Sequence, residues 1–249
     1  MDQVIYIPTL GRANNQITVK SLGEWLDRTV LVAHIDEVTA LQRQGFKVLA
    51  CPMQRQGIAA VRQWILDHAG DSHFIMLDDD FKFANRRADD PGKFEKCTDI
   101  SHAIMELFEL LEATPLVGLA HRSGANFAPH PVKYDTRVHG AIGVNGKLAH
   151  HHGWRFDRLR YMEDFDFTLQ VLTTGYSTAV YTDTVYDQGQ SNAAGGCSIT
   201  RTAETQAQAA IDLALEWPGL VTLVQKKGEG MWGERTDVRV SWAKALRSV

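Results

Sequence analysis

The sequence predicts an α/β domain built on one mostly parallel, Rossmann-like sheet flanked by helices. Two observations predict it. Short apolar runs of strand length alternate with stretches whose apolar residues recur at helical spacing, the rhythm of a parallel sheet with crossover helices. The run Phe74–Leu77 also passes directly into Asp78-Asp79-Asp80, placing polar chemistry where such sheets bind ligands, beyond the carboxyl ends of their strands. The 249 residues, 44% hydrophobic and 22% charged, suffice to bury a sizeable core and read as one domain over 1–249.

The elements follow in order. Val4–Ile7 is a strand stopped by Pro8 and followed by the loop Thr9-Leu10-Gly11-Arg12, and a helix is expected over about Ile17–Leu26. Val30–Ala33 and Lys47–Ala50 are strands separated by a helix within Asp36–Gln44. From Gly57, the residues Ile58, Val61, Ile65 and Leu66 keep helical spacing until Gly70, where a helix ends. After the polar stretch 85–98, Ser101–Glu112 is helical and Leu116–Ala120 is a strand. The interval Arg122–Gly153, rich in Gly, Pro, His and Asn, reads as loops with one strand at Ala141–Val144. Met162–Thr174 is a helix ended by Gly175, and Val180–Tyr186 a strand. An amphipathic helix over Ala203–Leu215 precedes strand-like Leu220–Val224 and a final segment, Val238–Trp242.

A net charge of −4 gives no global pull on nucleic acid, so such a partner needs a local basic patch. Three dispersed cysteines, Cys51, Cys97 and Cys197, fit reduced thiols rather than a disulfide framework or a zinc site. No basic, apolar leader opens the chain and no run approaches a membrane span, so the expectation is a cytoplasmic protein without a membrane partner.

Three adjacent carboxylates after an apolar strand repel one another, which calls for a cation. Mg²⁺ or Mn²⁺ prefers oxygen ligands and completes its shell with substrate phosphates, so Asp80 and Asp78 are the candidate ligands. Such a cation offsets the charge that builds on a departing diphosphate. A solvated acidic turn is the bland alternative. Glu163 and Asp164 open the Met162–Thr174 helix, where acids also gain ~0.3–1 kcal/mol each from the helix dipole alone. Asp166 reads as a surface acid, and His150-His151-His152 as a solvent-facing loop, since adjacent residues converge poorly on one ion.

In combination, Ile7-Pro8-Thr9-Leu10-Gly11-Arg12, Gly57-Ile58-Ala59-Ala60-Val61-Arg62, Leu77-Asp78-Asp79-Asp80 and Met162-Glu163-Asp164 resemble the GT-A fold of inverting family-2-type glycosyltransferases, over roughly residues 4 to 200. The resemblance implies a nucleotide-binding half at 1–80, an acceptor and catalytic half at 81–200, and a C-terminal extension at 201–249. It places Pro8, Thr9 and Arg12 beside the nucleotide, and brings Arg62 to the nucleotide or the aspartates, with Asp78 and Asp79 facing the donor. Asp164 is the implied base, with Glu163 orienting the acceptor. The third metal ligand, often a histidine in that family, has no counterpart in Asp183–Gln188, where Asp187 is the substitute or an ordinary strand-end acid. Gly195–Arg201 could wrap a diphosphate with Arg201 neutralising charge.

More loosely, the opening motif and Glu163-Asp164-Phe165-Asp166 are similar to phage-type, TET-associated glycosyltransferases that act on oxidised pyrimidines in DNA. That implies a UDP-sugar donor, hydroxymethylated DNA as acceptor, and Arg86, Arg87, Lys93 and Lys96 on its phosphates. Transfer to a glycan or small molecule stands beside it; a sugar-phosphate nucleotidyltransferase, which would want a glycine-richer first loop, and a non-catalytic sugar-binding module rank lower.

Overall fold

A computed structural model of the protein describes residues 3–188, 202–227 and 234–247. The strand β1 (Val4–Thr9) pairs in parallel with β2 (Thr29–Ala33), which follows two 3-10 turns, and β2 leads through α1 (Ile35–Arg43) to the parallel strand β3 (Val48–Ala50). The helix α2 (Ile58–Ala69) then feeds β4 (His73–Met76), parallel to β1. A hairpin, β5 (Lys82–Arg86) and β6 (Phe94–Cys97), precedes α3 (Ser101–Leu111) and β7 (Leu116–His121). The short β8 (Val132–Tyr134), β9 (Ile142–Asn145), α4 (Gly146–His152), α5 (Glu163–Thr173) and the ten-residue β10 (Thr178–Asp187) complete the main sheet. Its order is β3-β2-β1-β4-β9-β7-β10-β5-β6, with β8 on β10. β9 runs antiparallel to both neighbours, whereas β7 and β10 are parallel. The expected α/β fold with helices on the sheet's faces is therefore what the chain adopts.

Strand periodicity explains the two cores. Ile5, Ile7, Leu31, Ile75 and Leu77 face α3 through Ile104, Leu107, Phe108 and Leu111. Their alternates Tyr6, Val32, Phe74 and Met76 face α2 and α5 through Val61, Ile65, Phe167 and Val171. Close approach between β7 and the residues before β9 requires Gly118, where a Cβ would sit 2.4 Å from the Ala141 carbonyl oxygen. Gly118→Ala is expected to cost about 1–3 kcal/mol, measured as a lower denaturant midpoint at unchanged slope.

Beyond the sheet, α6 (Ala203–Glu216), the antiparallel pair β11 (Val221–Lys226) and β12 (Arg235–Val240), and α7 (Trp242–Leu246) form a unit with its own core. Thr202 caps α6 with a reciprocal hydrogen-bonded box to Thr205. Met162, Leu169 and Leu172 of the α5 region join that core, so α5 is packed on both sides. This corrects the reading of Asp166, which is fully buried rather than a surface acid, and accepts hydrogen bonds from Trp217 Nε1 at 2.7 Å and Gln170 Nε2 at 2.8 Å.

Other expectations change as well. The single helix over 17–26 is two 3-10 turns, Thr18–Ser21 and Gly23–Arg28, because Gly23 takes φ +54 against Ser101 and Asp99. The polar stretch 85–98, for which the sequence names no element, carries most of the β5–β6 hairpin. His150–His152 close α4, which Asn145 caps and Gly153 ends in a left-handed conformation. His152 stacks on Trp154 and hydrogen-bonds Tyr176, while His150 and His151 are exposed.

Candidate active site

The carboxyl ends of β1 and β4 meet where Thr9 and Asp78–Asp80 emerge. The turn after β1 fixes the acidic loop through its backbone. Ile17 and Thr18 N–H groups donate to the Asp79 carbonyl, the Thr18 hydroxyl donates to the Asp78 carbonyl at 2.6 Å, and Phe81 N–H donates to that hydroxyl. Asp79 turns inward, accepting from Thr9 Oγ1 at 2.6 Å and Arg12 Nη1 at 2.6 Å. Arg12 also reaches Asp80 Oδ2 at 3.0 Å, so it ties two of the three acids. Pro8 does not stop β1 as expected: it sits opposite Val32, and the strand continues, buried, to Thr9 opposite Ala33. Burial raises the Asp79 carboxyl, against the pull of Thr9 and Arg12.

Asp78 behaves differently. Its side chain stays 31% exposed, yet desolvation, with Asp80 and Asp79 adding repulsion, raises its pKa to about 6 despite the guanidinium of Arg62. Arg62, on buried α2, donates to Asp78 Oδ1 at 3.1 Å and to Glu163 Oε1 at 2.6 Å. One guanidinium thereby joins the acids after β4 to the acids opening α5.

Met162 holds a left-handed conformation, φ 59, immediately before Glu163, and aims the first turn of α5 at this centre. Burial raises the Glu163 carboxyl even with Arg62 in contact. Burial pushes Asp164 the same way, but Arg137, His139 and Arg62 outweigh it and hold Asp164 below its usual range. Arg137 donates through Nε at 2.7 Å and through Nη2 to Asp164 Oδ2, and its guanidinium lies 3.6 Å over the Phe165 ring. His139 is kept neutral, its pKa lowered to about 4 by burial, then by Arg137. The Tyr186 hydroxyl lies against His139 Nδ1 and donates to its carbonyl at 3.0 Å, while its ring stacks on Phe81. His121 packs edge-on against the same ring.

The candidate residues thus fall into one centre with two margins. Asp78, Arg62, Glu163 and Asp164 converge, Thr9, Arg12, Asp79 and Asp80 form one flank, and Asp187 stands at the end of β10 opposite Lys82, paired with Arg122 at 3.3 Å. Arg201 and the whole Gly195–Arg201 segment lie outside the described residues. Sequence reasoning missed Arg137, His139, His121 and Tyr186. The first two lie in the interval read as loops with one strand at Ala141–Val144, and an Arg and a His just ahead of that strand were a usable signal.

Among the described residues no group of three or more His, Cys, Asp or Glu side chains is placed to hold a metal. Asp78 and Asp80 still offer hard carboxylate oxygens next to a solvent-open edge, which suits Mg²⁺ or Mn²⁺ sharing its shell with a diphosphate.

Sheet order, the acidic loop after β4 and the acid pair opening α5 define a GT-A type domain. Residues 3–196 match the TET-Associated Glycosyltransferase family, and the chain belongs to it. Among solved structures, Staphylococcus aureus TarS 1-349 is similar at 14% identity and TM-score 0.50, covering 86% of this chain, which spans 66% of that one, just under two thirds. Glucosyl-3-phosphoglycerate synthase from Mycobacterium tuberculosis, in complex with Mn²⁺, uridine diphosphate and phosphoglyceric acid, gives 11% identity and TM-score 0.52 over 96% of this chain and 86% of that one. The same synthase with Mn²⁺, UDP-glucose and phosphoglyceric acid gives 12% and 0.51, over 96% and 87%. At such identities the likeness is one of fold. No curated protein matches the chain.

Proposed function

We propose that the protein is a metal-dependent, inverting glycosyltransferase that moves a sugar from a nucleotide-diphosphate donor, UDP-linked in the first instance, to the hydroxyl of a 5-hydroxymethylpyrimidine in DNA. The observation that carries the transferase reading is the Arg62 bridge between Asp78 and Glu163, which joins a donor flank to an acceptor flank. Pro8, Thr9 and Arg12 line the nucleotide side, with Asp79 anchoring Thr9 and Arg12 in place. Asp78 and Asp80, with Asp187 at the margin, hold the cation, and Arg201 meets the diphosphate. The cation supplies a Lewis acid that stabilises charge on the leaving diphosphate.

Asp164 is the base. The acceptor oxygen bonds to the anomeric carbon as the bond from that carbon to the diphosphate oxygen breaks, the diphosphate leaves with the electron pair, and the hydroxyl proton passes to the Asp164 carboxylate. Its lowered pKa keeps that carboxylate ionised at neutral pH. Glu163, held by Arg62, orients the acceptor.

DNA as acceptor rests on the family match. Three of the four basic residues expected on phosphates are engaged elsewhere: Arg86 bonds Asp183 and the Ala125 and Thr182 carbonyls, while Arg87 and Lys93 pair with Asp89 and Asp90. Lys96 stays exposed, but the largely neutralised hairpin favours a second reading, transfer to a glycan or small molecule. Transfer from UDP-glucose to duplexes with and without 5-hydroxymethylcytosine separates the two. Product only on the modified duplex, with salt-sensitive binding, supports DNA; no product on either removes it. The described residues contain no helix long and apolar enough to cross a membrane, and in this reading the enzyme works in the cytoplasm, the host's if phage-encoded.

Cation binding should follow the ionisation of Asp78. The rise in melting temperature produced by Mn²⁺ with UDP is expected to shrink as pH falls through about 6, where Asp78 takes up its proton. A shift of constant size between pH 5 and 8 would remove Asp78 from the ligand set.

A further inference from the structure

The helix that opens with Glu163-Asp164 is gripped from behind by the C-terminal unit. Trp242, the first residue of α7, stacks on Phe165 with ring centroids 6.0 Å apart and planes 20° from parallel. The other neighbour of Phe165 is the guanidinium of Arg137, 3.6 Å over the ring. Arg137 in turn holds Asp164 through Nε and Nη2 on one carboxylate oxygen. At the next residue, Trp217 Nε1 donates to buried Asp166, and Arg158 links Asp166 to Glu216. These contacts reach α5 from the unit built by α6, β11, β12 and α7, and that unit lies past residues 3–196, the part of the chain that matches the family.

We infer that Trp242 and Phe165 are positioning residues, through which the C-terminal unit fixes Arg137 against Asp164 and so sets the proton affinity of the carboxylate. The inference rests on the reading of Asp164 as the base only for its catalytic consequence; the grip itself is independent of that role. An aromatic face attracts a guanidinium, and a second ring stacked on that aromatic restrains its orientation, so the fork of Arg137 is presented at a fixed angle. Without the stack, Phe165 regains rotameric freedom on a half-buried surface and Arg137 loses the platform that keeps both donors on Asp164. The other charged or titratable groups facing Asp164 are Arg62 from α2, Glu163 from α5, His139 from the segment before β9 and Tyr186 from β10. Among the described residues the ring partner of Trp242 is Phe165, so a change at Trp242 reaches Asp164 through Phe165 and Arg137.

The test is a carbon-13 carboxyl NMR titration of the full chain, with the Asp164 signal assigned by its loss in Asp164→Asn. Trp242→Ala is expected to raise the apparent pKa of Asp164 by about one unit, a tenfold gain in proton affinity, and Trp242→Phe to restore it towards the wild-type value. Phe165→Leu, a milder change in packing, serves as the second variant and is expected to raise it as well. Circular dichroism and the melting shift with UDP and Mn²⁺ establish that each variant is folded with its donor side intact. In turnover of UDP-glucose, Trp242→Ala should lower kcat about tenfold while the donor KM is unchanged, a loss of the size that small misplacements at a catalytic group produce. A folded Trp242→Ala or Phe165→Leu chain whose Asp164 titrates at the wild-type position overturns the inference. Wild-type turnover retained in Asp164→Asn would instead sink the base assignment and leave the titration result standing, so the two failures are told apart.

Discussion

Asp164→Asn is expected to lower kcat by about 10²–10⁴-fold, the usual contribution of a positioned general base, with little change in the KM for UDP-sugar. Asparagine keeps the shape of the carboxylate and still offers an oxygen to Arg137, so the first turn of α5 should keep its place. What it lacks is a site for the acceptor proton at the moment the new bond forms. The arrangement makes this a clean substitution: Arg137, not the solvent, is the main partner of Asp164, and Arg62 continues to hold Glu163 and Asp78. Steady-state rates over pH 5–9 with one UDP-sugar and one acceptor measure it. Turnover at the wild-type level would move the base elsewhere, with His139 next in line because its neutral imidazole adjoins the same carboxylate.

Arg62→Met is expected to have the largest effect on stability. It removes the cation between two carboxylates that are desolvated, and truncating one partner of a buried pair typically costs about 3–5 kcal/mol. For a chain of this size that lowers the melting temperature by roughly 6–20 °C. The pH dependence has a definite sign. Glu163 and Asp78 already carry raised folded-state pKa values because burial outweighs Arg62, and without Arg62 they rise further. A carboxyl whose folded pKa exceeds its unfolded one stabilises the fold most below the unfolded value and loses that contribution as pH rises through the folded value. The deficit of Arg62→Met should accordingly be largest above about pH 6, where Asp78 is ionised even in the wild type, and should ease towards pH 5. The double variant Arg62→Met with Glu163→Gln is expected to recover part of the loss, since it removes one of the uncompensated charges. A deficit of the same size at pH 5 and pH 8 would show that the guanidinium acts through packing alone.

Much of the fold could be read from residue patterns because each half-buried element obeys its own period. Ile5 and Ile7 alternate with Tyr6, and Ile104, Leu107, Phe108 and Leu111 repeat at helical spacing. Patterning failed where burial is decided by distant partners. Asp166 looks like any exposed acid until Trp217, fifty-one residues away, donates to it. The β5–β6 hairpin is polar on its open side, and paired edge strands need few apolar residues. In the site, Asp78, Glu163 and Asp164 could be picked out because acids at strand and helix ends are conspicuous. Arg137 and His139 were not, because their role depends on a chain path from Thr178 back across α5 that no local spacing encodes. Asp79 illustrates a subtler limit: the resemblance set it facing the donor, whereas the structure turns it inward to Thr9 and Arg12.

The hydrogen bonds from Ile17, Thr18 and Phe81 around the acidic loop engage main-chain atoms and a hydroxyl, leaving the Asp78 and Asp80 carboxylates out of the clamp. The backbone of this loop is thus moulded in advance. On the proposed reading, association with a cation and a diphosphate need not freeze a floppy loop, a saving that pre-organised sites convert into affinity.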